Sequence, residues 1–463
     1  MNNENYPEIW QWSSDFQSGK MTPRDALELC LTRIDRFDPK LGAFEIVYEH
    51  EARQAADAAT RAFDSGHRIG PFHGIPFALK DIIDLEGRIT TGGSKVFENR
   101  VSPATATVAK RLISAGGILV GKTKTVEVAM GGWGTNQQMG TPWNPWDLKT
   151  HRTPGGSSSG SAVAVASGMV SCAVGTDTGG SVRGPSAWCG IVGLKTTEGQ
   201  IPTDGIIPLS HTLDTAGPMA RSLSDAALMY EVMLGRHPVD IDRDRSQGQG
   251  LYSGMSLGVA GLRLGVLNEL EREHVASDIL GLYDGACEAL AQLGAELVTF
   301  NGPMGFDDMK DATGVIIFSE GYFHHGNMYE RQGAKIDTDV RPRILSGRTF
   351  TARDYVAALQ QRRQDQQQFL QSLTGLSALL TPTMTTPPIP LDEVDQGSTP
   401  GYFTRAGNYL GLCGLSVPMG LTGDGLPGGL QILGRGGEEG MTLRIGAAFE
   451  QKAGPFLHPR FDR

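Results

Sequence analysis

Long hydrophobic runs are missing from this chain. No uninterrupted apolar stretch approaches the roughly 20 residues of a membrane-crossing helix, so no helical span is predicted. Cysteine is scarce: Cys30, Cys172, Cys189, Cys287 and Cys413 are odd in number and contain no CxxC pair. Neither a disulfide framework nor a cysteine-based zinc site is therefore expected, and no metal or cofactor is read from the sequence. The ten histidines include no HExxH, and the adjacent His324 and His325 would point differently on any regular element. Basic residues are in the minority, 41 Lys and Arg against 51 Asp and Glu, for a formal net charge of −10. That balance argues against a large footprint for nucleic acid or an anionic membrane. The opening MNNENYPEIWQWSSDF lacks a basic segment followed by an apolar one, so no signal peptide is expected. Free, mostly buried thiols then fit a cytoplasmic protein.

What is present is an ordinary globular composition, with 39% hydrophobic and 20% charged residues in 463. Helical spacing predicts a helix over 24–37, capped by Thr22 with Pro23 in its first turn, and an Ala-rich helix over 49–63. A short strand over 74–81, an amphipathic helix over 105–115 and a strand over 118–120 follow. Residues 240–256 are polar, Gly-rich and aperiodic and read as a linker-like surface excursion. A strand, a helix and a strand resume over 262–300. Residues 304–350 read as irregular, a Gln/Arg-rich helix is predicted over 354–373, and the chain ends in strands near 415–417 and 428–433 and a helix over 441–451. Strands alternating with helices predict an α/β fold, a single domain with a large mixed sheet between helical layers.

Three local features carry ambiguous chemistry. Lys80 closes the apolar strand GIPFALKD, and read by itself it is an exposed strand-end lysine. GGILVGKT, over 116–123, satisfies the phosphate-loop pattern. A helix precedes its first glycine and a strand-like ILV fills its middle, so a helix C-cap leading into a strand is the preferred reading. The loop Met130 to Asn136 presents Trp133 on glycine-rich backbone, as pocket loops do. Trp143 and Trp146, beside prolines, read equally well as loop packing.

The chemistry concentrates between Thr153 and Leu194, where GGSSSG and TDTGGSVRG bracket a run of small apolar residues. Such a run belongs in a packed interior and not in a flexible tether. A serine hydroxyl needs a base, which a desolvated lysine can provide, and an oxyanion site, which amides freed by Gly179 and Gly180 can provide. GGSSSG alone is equally a phosphate cradle or a tight helix entry, and Asp177, Ser181 and Arg183 alone are equally a cap and salt bridge.

The runs GGSSSGSAVAVASG and VGTDTGGSVRGPSAWCGIVGLK, with GIPFALKDIID, TTGGS, NPWD, LDTAGPMARS and SVPMG, resemble the amidase signature family. The resemblance runs from about residue 20 to the C-terminus. It implies one domain over 1–463: a helical N-terminal layer at about 5–66, a signature core at about 70–220 and a variable substrate-loop region at about 300–405. It implies Ser181 as nucleophile, Ser157 after a cis peptide bond as bridging serine, and Lys80 as terminal base. It also implies amides of Thr178, Gly179, Gly180 and Ser181 as the oxyanion hole, with Ser158, Asp177 and Arg183 organising them. Two departures, Ser159 for a common Gly and Ile82 for a common Asn, are expected to affect packing or pocket polarity more than mechanism. Met130, Trp133, Tyr322 and Phe323 are the expected substrate pocket.

The resulting expectation is a stand-alone serine hydrolase of small or aryl amides, with esters and carbamates (urethanes) as further substrates. Its partner is a small-molecule amide, without nucleic acid or membrane, and a homodimer is compatible with it. The alternative within the family is the glutaminase component of a tRNA-dependent amidotransferase, which the aromatic 318–329 segment and the acidic surface do not favour. A non-catalytic nucleotide-binding protein built on GGILVGKT is the remote alternative.

Overall fold

In the computed structural model, which describes residues 8–461, a single mixed sheet of 11 strands carries the fold. Its strands are β1 (Phe44–Val47), β2 (Pro76–Lys80), β3 (Ile118–Thr123), β4 (Cys172–Asp177), β5 (Val192–Lys195), β6 (Thr215–Ala220), β7 (Arg263–Leu267), β8 (Glu296–Phe300), β9 (Ala378–Pro382), β10 (Cys413–Leu421) and β11 (Pro427–Gly434). They lie in the order β1-β3-β2-β4-β6-β5-β10-β11-β9-β7-β8. Parallel pairs join β2 to β3 and β4, and β7 to β8 and β9; the remaining pairs are antiparallel. Helices cover both faces, so the central strands are buried throughout; β2, β4, β6 and β11 expose no residue. This is the single-domain α/β architecture read from the alternation of elements.

The N-terminal helix Pro23–Leu41 starts as its sequence predicts, with Thr22 and Asp25 forming a reciprocal capping box. Residues 5–7 of the expected N-terminal layer lie outside the described residues. The phosphate-loop look-alike is a helix end and a strand. Gly116 takes a φ of +87° after the helix Thr107–Ser114, and β3 then runs straight through Gly121, Lys122 and Thr123. Lys122 is buried, with Nζ 2.8 Å from Asp81 Oδ1. Trp143 and Trp146 pack within their loop: Trp143 stacks on His151, and Trp146 Nε1 donates to the Cys189 carbonyl at 2.8 Å. All five cysteines are buried, and none of them forms a disulfide. No helix among the described residues is long and apolar enough to cross a membrane.

Two expectations need correction. Residues 240–256 are not a linker but two short helices, Pro238–Ser246 and Gly250–Met255. Tertiary contacts outweigh their weak local pattern: Arg236 bonds Asp244 at 2.7 Å, Ile241 is buried, and Tyr252 meets Trp10 edge to face. Residues 304–350 are mostly helical as well, with Phe306–Glu330 one helix of 25 residues followed by Val340–Ser346. Gly314, Gly321 and Gly326 mask its periodicity, since each costs about 1 kcal/mol against Ala in a helix. Gly321 is closely packed, since a Cβ there would approach Met130 Cε to 3.1 Å and Ile344 Cδ1 to 3.2 Å and would push those side chains back.

Candidate active site

Strands β2 and β4 are parallel and pair Leu79 with Val174, so both deliver their C-terminal residues to one edge of the sheet. Lys80 ends β2 and is completely buried, which corrects the reading of an exposed strand-end lysine. Its Nζ is hydrogen-bonded to Ser157 Oγ at 2.7 Å and to Thr176 Oγ1 at 2.8 Å. Burial pushes its pKa down to about 7, against the weaker pull of Asp214 and Asp177. A buried amine with hydroxyl partners and no ion-paired carboxylate is held where it can exchange a proton near neutrality.

Ser157 follows a cis peptide bond from Gly156 and precedes the helix Ser159–Ala166, which is buried on every face. Gly156 cannot be replaced there, because a Cβ would lie 2.7 Å from the Gly131 carbonyl oxygen and the Gly134 nitrogen. Ser158 ties this turn to β4, its Oγ donating to the Thr176 carbonyl and accepting from the Thr176 amide, both at 3.2 Å. The Ser158 amide also donates to the Ser181 carbonyl at 3.3 Å, so the two glycine-serine turns are joined directly. Ser159 has its hydroxyl buried without a hydrogen-bond partner among the described residues, a cost that a glycine would avoid. Ile82 is buried in the main core.

After β4 the chain turns through Thr178 to Val182 into the helix Arg183–Cys189. Asp177 organises this turn. Its Oδ1 accepts the Gly180 amide at 2.8 Å and Arg183 Nη2 at 2.9 Å, while Oδ2 accepts the Val182 amide at 3.1 Å and Arg183 Nε at 3.0 Å. Burial pushes the Asp177 carboxyl up, but the Arg183 guanidinium overrides it and holds the group well below the usual carboxylate range. Arg183 is pinned in turn by Asn408 Oδ1 and Gln431 Oε1, each at 2.7 Å. Replacing Arg183 with methionine is expected to destabilise the fold by about 3–5 kcal/mol, read from urea denaturation, because it strands a buried carboxylate.

One of the four amides expected to bind an oxyanion is already committed, since the Gly180 N–H points to Asp177. The amides of Thr178, Gly179 and Ser181 donate to no acceptor among the described residues. Gly180 has a φ of +128°, and Thr404 fills the space where its Cβ would be. Ser181, 8% exposed, opens with Gly156 and Gly179 onto a cavity of about 750 Å³, a size that suits a small molecule.

Of the expected pocket residues only Met130 lines this cavity. Trp133 lies behind it, stacked on Trp188 with ring centroids 5.6 Å apart and Nε1 donating to the Ser398 carbonyl. Neither Tyr322 nor Phe323 reaches the cavity, which corrects their assignment: Tyr322 is half-buried against the core and bonds Glu330, and Phe323 is 77% exposed. Tyr322 lies one turn beyond Phe318 on the helix Phe306–Glu330, past the stretch of Gly314, Ile317 and Phe318 that faces the cavity. Phe350, Met384 and Arg405 complete the wall and were not read from sequence; they come from three distant segments and share no motif.

Comparison with known proteins identifies the family and the fold. A family model described as Amidase matches residues 25–443. The A component of the glutamyl-tRNA(Gln) amidotransferase of Geobacter metallireducens is 35% identical, covering 92% of this chain and 93% of that one. Among solved structures, native peptide amidase from Stenotrophomonas maltophilia superposes with a TM-score of 0.84 at 28% identity, over 98% of this chain and 99% of that one. A protein from a vestigial complex related to the origins of an s-triazine catabolic enzyme superposes with a TM-score of 0.88 at 28% identity, over 98% and 100%. With its buried Lys80, its cis Gly156-Ser157 turn and its glycine-framed Ser181, the chain belongs to the amidase signature family, enzymes that act on carbon–nitrogen bonds of amides.

Proposed function

We propose that this protein hydrolyses a small-molecule amide through an acyl-enzyme on Ser181, with Ser157 and Lys80 relaying the proton. The observation that carries this reading is the buried Lys80 Nζ, 2.7 Å from Ser157 Oγ, with a pKa near 7. Ser181 Oγ attacks the carbonyl carbon and gives its proton to Ser157, whose own proton passes to neutral Lys80. Collapse of the tetrahedral intermediate breaks the C–N bond, and the same relay returns the proton to the leaving nitrogen. Water then attacks the acyl-Ser181 ester by the same route and frees the acid. The uncommitted amides of Thr178, Gly179 and Ser181 hold the oxyanion, each donor contributing about 10²–10³ in rate. Ser158, Asp177 and Arg183 fix the two turns without taking part in proton transfer. Ester and carbamate carbonyls present the same electrophile, and the apolar faces of Met130, Phe318 and Phe350 accept bulky groups.

A second reading is favoured by the 35% identity to one component of an amidotransferase, a role that requires further protein chains. The two are separated by assaying the purified chain alone on glutamine, aliphatic amides, aryl amides and carbamates. The stand-alone reading expects turnover of a non-glutamine amide by the isolated chain. Turnover of glutamine only, and only once partner chains are supplied, would replace it with the second reading.

A further inference from the structure

The cavity wall holds positive charge that the proposed chemistry does not use. Four ionisable side chains line it, Lys310, Asp311, Arg343 and Arg405. Lys310 is balanced by Asp307, one turn back on the same helix, at 2.5 Å. Arg343 is spent as a clamp between loops: Nη1 donates to the Met130 carbonyl at 3.2 Å, and Nη2 to the Gln396 carbonyl at 2.6 Å and side chain at 2.7 Å.

Arg405 is different. Among the described residues its guanidinium makes one hydrogen bond, from Nη1 to the Lys310 carbonyl at 2.9 Å, and no carboxylate lies within ion-pair distance. A guanidinium offers five N–H donors in a fork that matches a carboxylate, so most of its capacity is unspent. Burial pushes it down to about 10, an effect that Asp311 opposes only from a distance. Arg405 is also close to the reacting centre. A Cβ built on Gly179 would lie 3.3 Å from Arg405 Cγ and 3.7 Å from its Nε, and Gly179 supplies one of the uncommitted amides. An anion on Arg405 would therefore sit only a few bonds from the carbonyl held at that amide.

We propose that Arg405 sets the specificity of this cavity and that the substrate amide carries a carboxylate a few bonds from its scissile carbonyl, as in the monoamide of a short dicarboxylic acid. This inference rests on the cavity being an amidase site. It commits the acyl side of the substrate to a short, anionic chain, where the apolar wall alone would admit any bulky group.

Succinamate and butyramide test it, since they match in length and differ by a carboxylate for a methyl group. The expected kcat/KM ratio favours succinamate by about 10–100-fold in the unmodified protein, the range of a charge-assisted bidentate contact. Arg405→Met should bring the ratio toward one, and Arg405→Lys should keep part of it. Equal kcat/KM for both amides, or an equal loss of both in Arg405→Met, would overturn the proposal. Calorimetric titration of succinate into Ser181→Ala, with and without Arg405→Met, separates this inference from the reading beneath it. Succinate binding that weakens at least about 10-fold without Arg405 upholds the anion site even if no amide is turned over, and that outcome would sink the amidase reading alone. Absence of succinate binding would sink the anion site whatever the hydrolysis results.

Discussion

Ser181→Ala is expected to lower kcat by about three to six orders of magnitude while leaving the fold intact. The size follows from the chemistry, because without Ser181 Oγ no acyl-enzyme forms and only binding and oxyanion stabilisation remain. The fold should tolerate the change. Ser181 sits at the cavity edge, and the contacts that hold its turn come from backbone amides and from Asp177, neither of which the substitution removes. Equal thermal unfolding of the two proteins, with hydrolysis lost in one, is the expected pair of results. Turnover within a factor of ten of the original would rule out Ser181 as nucleophile.

Lys80→Met is expected to cost about two to four orders of magnitude in kcat/KM, the usual range for a lost general base. Methionine is nearly the shape of the lysine stem and is apolar, so it suits a side chain with no exposed surface. The pH profile adds a readout that a purely structural role for Lys80 would not produce. A lysine base acts in its neutral form, which prevails above its pKa. With that pKa pushed down to about 7 by burial, kcat/KM should level off above about 7 and fall about tenfold per unit below it. The residual activity of Lys80→Met should lose this limb. A profile flat from pH 5 to 9 in the unmodified protein would assign the base elsewhere.

The parts of the site that sequence reveals are those written within a few residues of one another. Gly156 with Ser157, and Asp177 with Gly180 and Arg183, are local arrangements in which turn chemistry and hydrogen-bonding partners are neighbours in the chain. Lys80 reads as a surface residue in isolation because its burial comes from β3 and β4 on either side of β2, and that placement is set by residues 118–123 and 172–177. The support of Arg183 is hidden for the same reason, since Asn408 and Gln431 lie 225 and 248 residues further on. The pocket is least legible. Tyr322 and Phe323 stand out as aromatics in a segment that reads as irregular. Once that segment is a helix, the side facing the cavity carries Phe318 about a turn earlier, beside glycines that obscure the pattern. Arg405 carries no signal at all, because its meaning depends on having no ion-paired carboxylate among the described residues. The polar stretch at 240–256 misleads in the opposite direction: it is helical with the help of contacts far away in sequence, Asp242 with Arg68 and Tyr252 with Trp10.

The central claim is a covalent acyl-enzyme on Ser181, formed with the help of Lys80. Its most direct test is intact-mass measurement followed by peptide mapping after brief exposure to an activated ester, on the unmodified protein and on Lys80→Met. The account predicts one acyl group per chain, located on the peptide containing Ser181, and formed at least about 100-fold more slowly in the variant. An acyl group on any other residue, or turnover of the ester with no adduct trapped on Ser181 under quenched conditions, would contradict it.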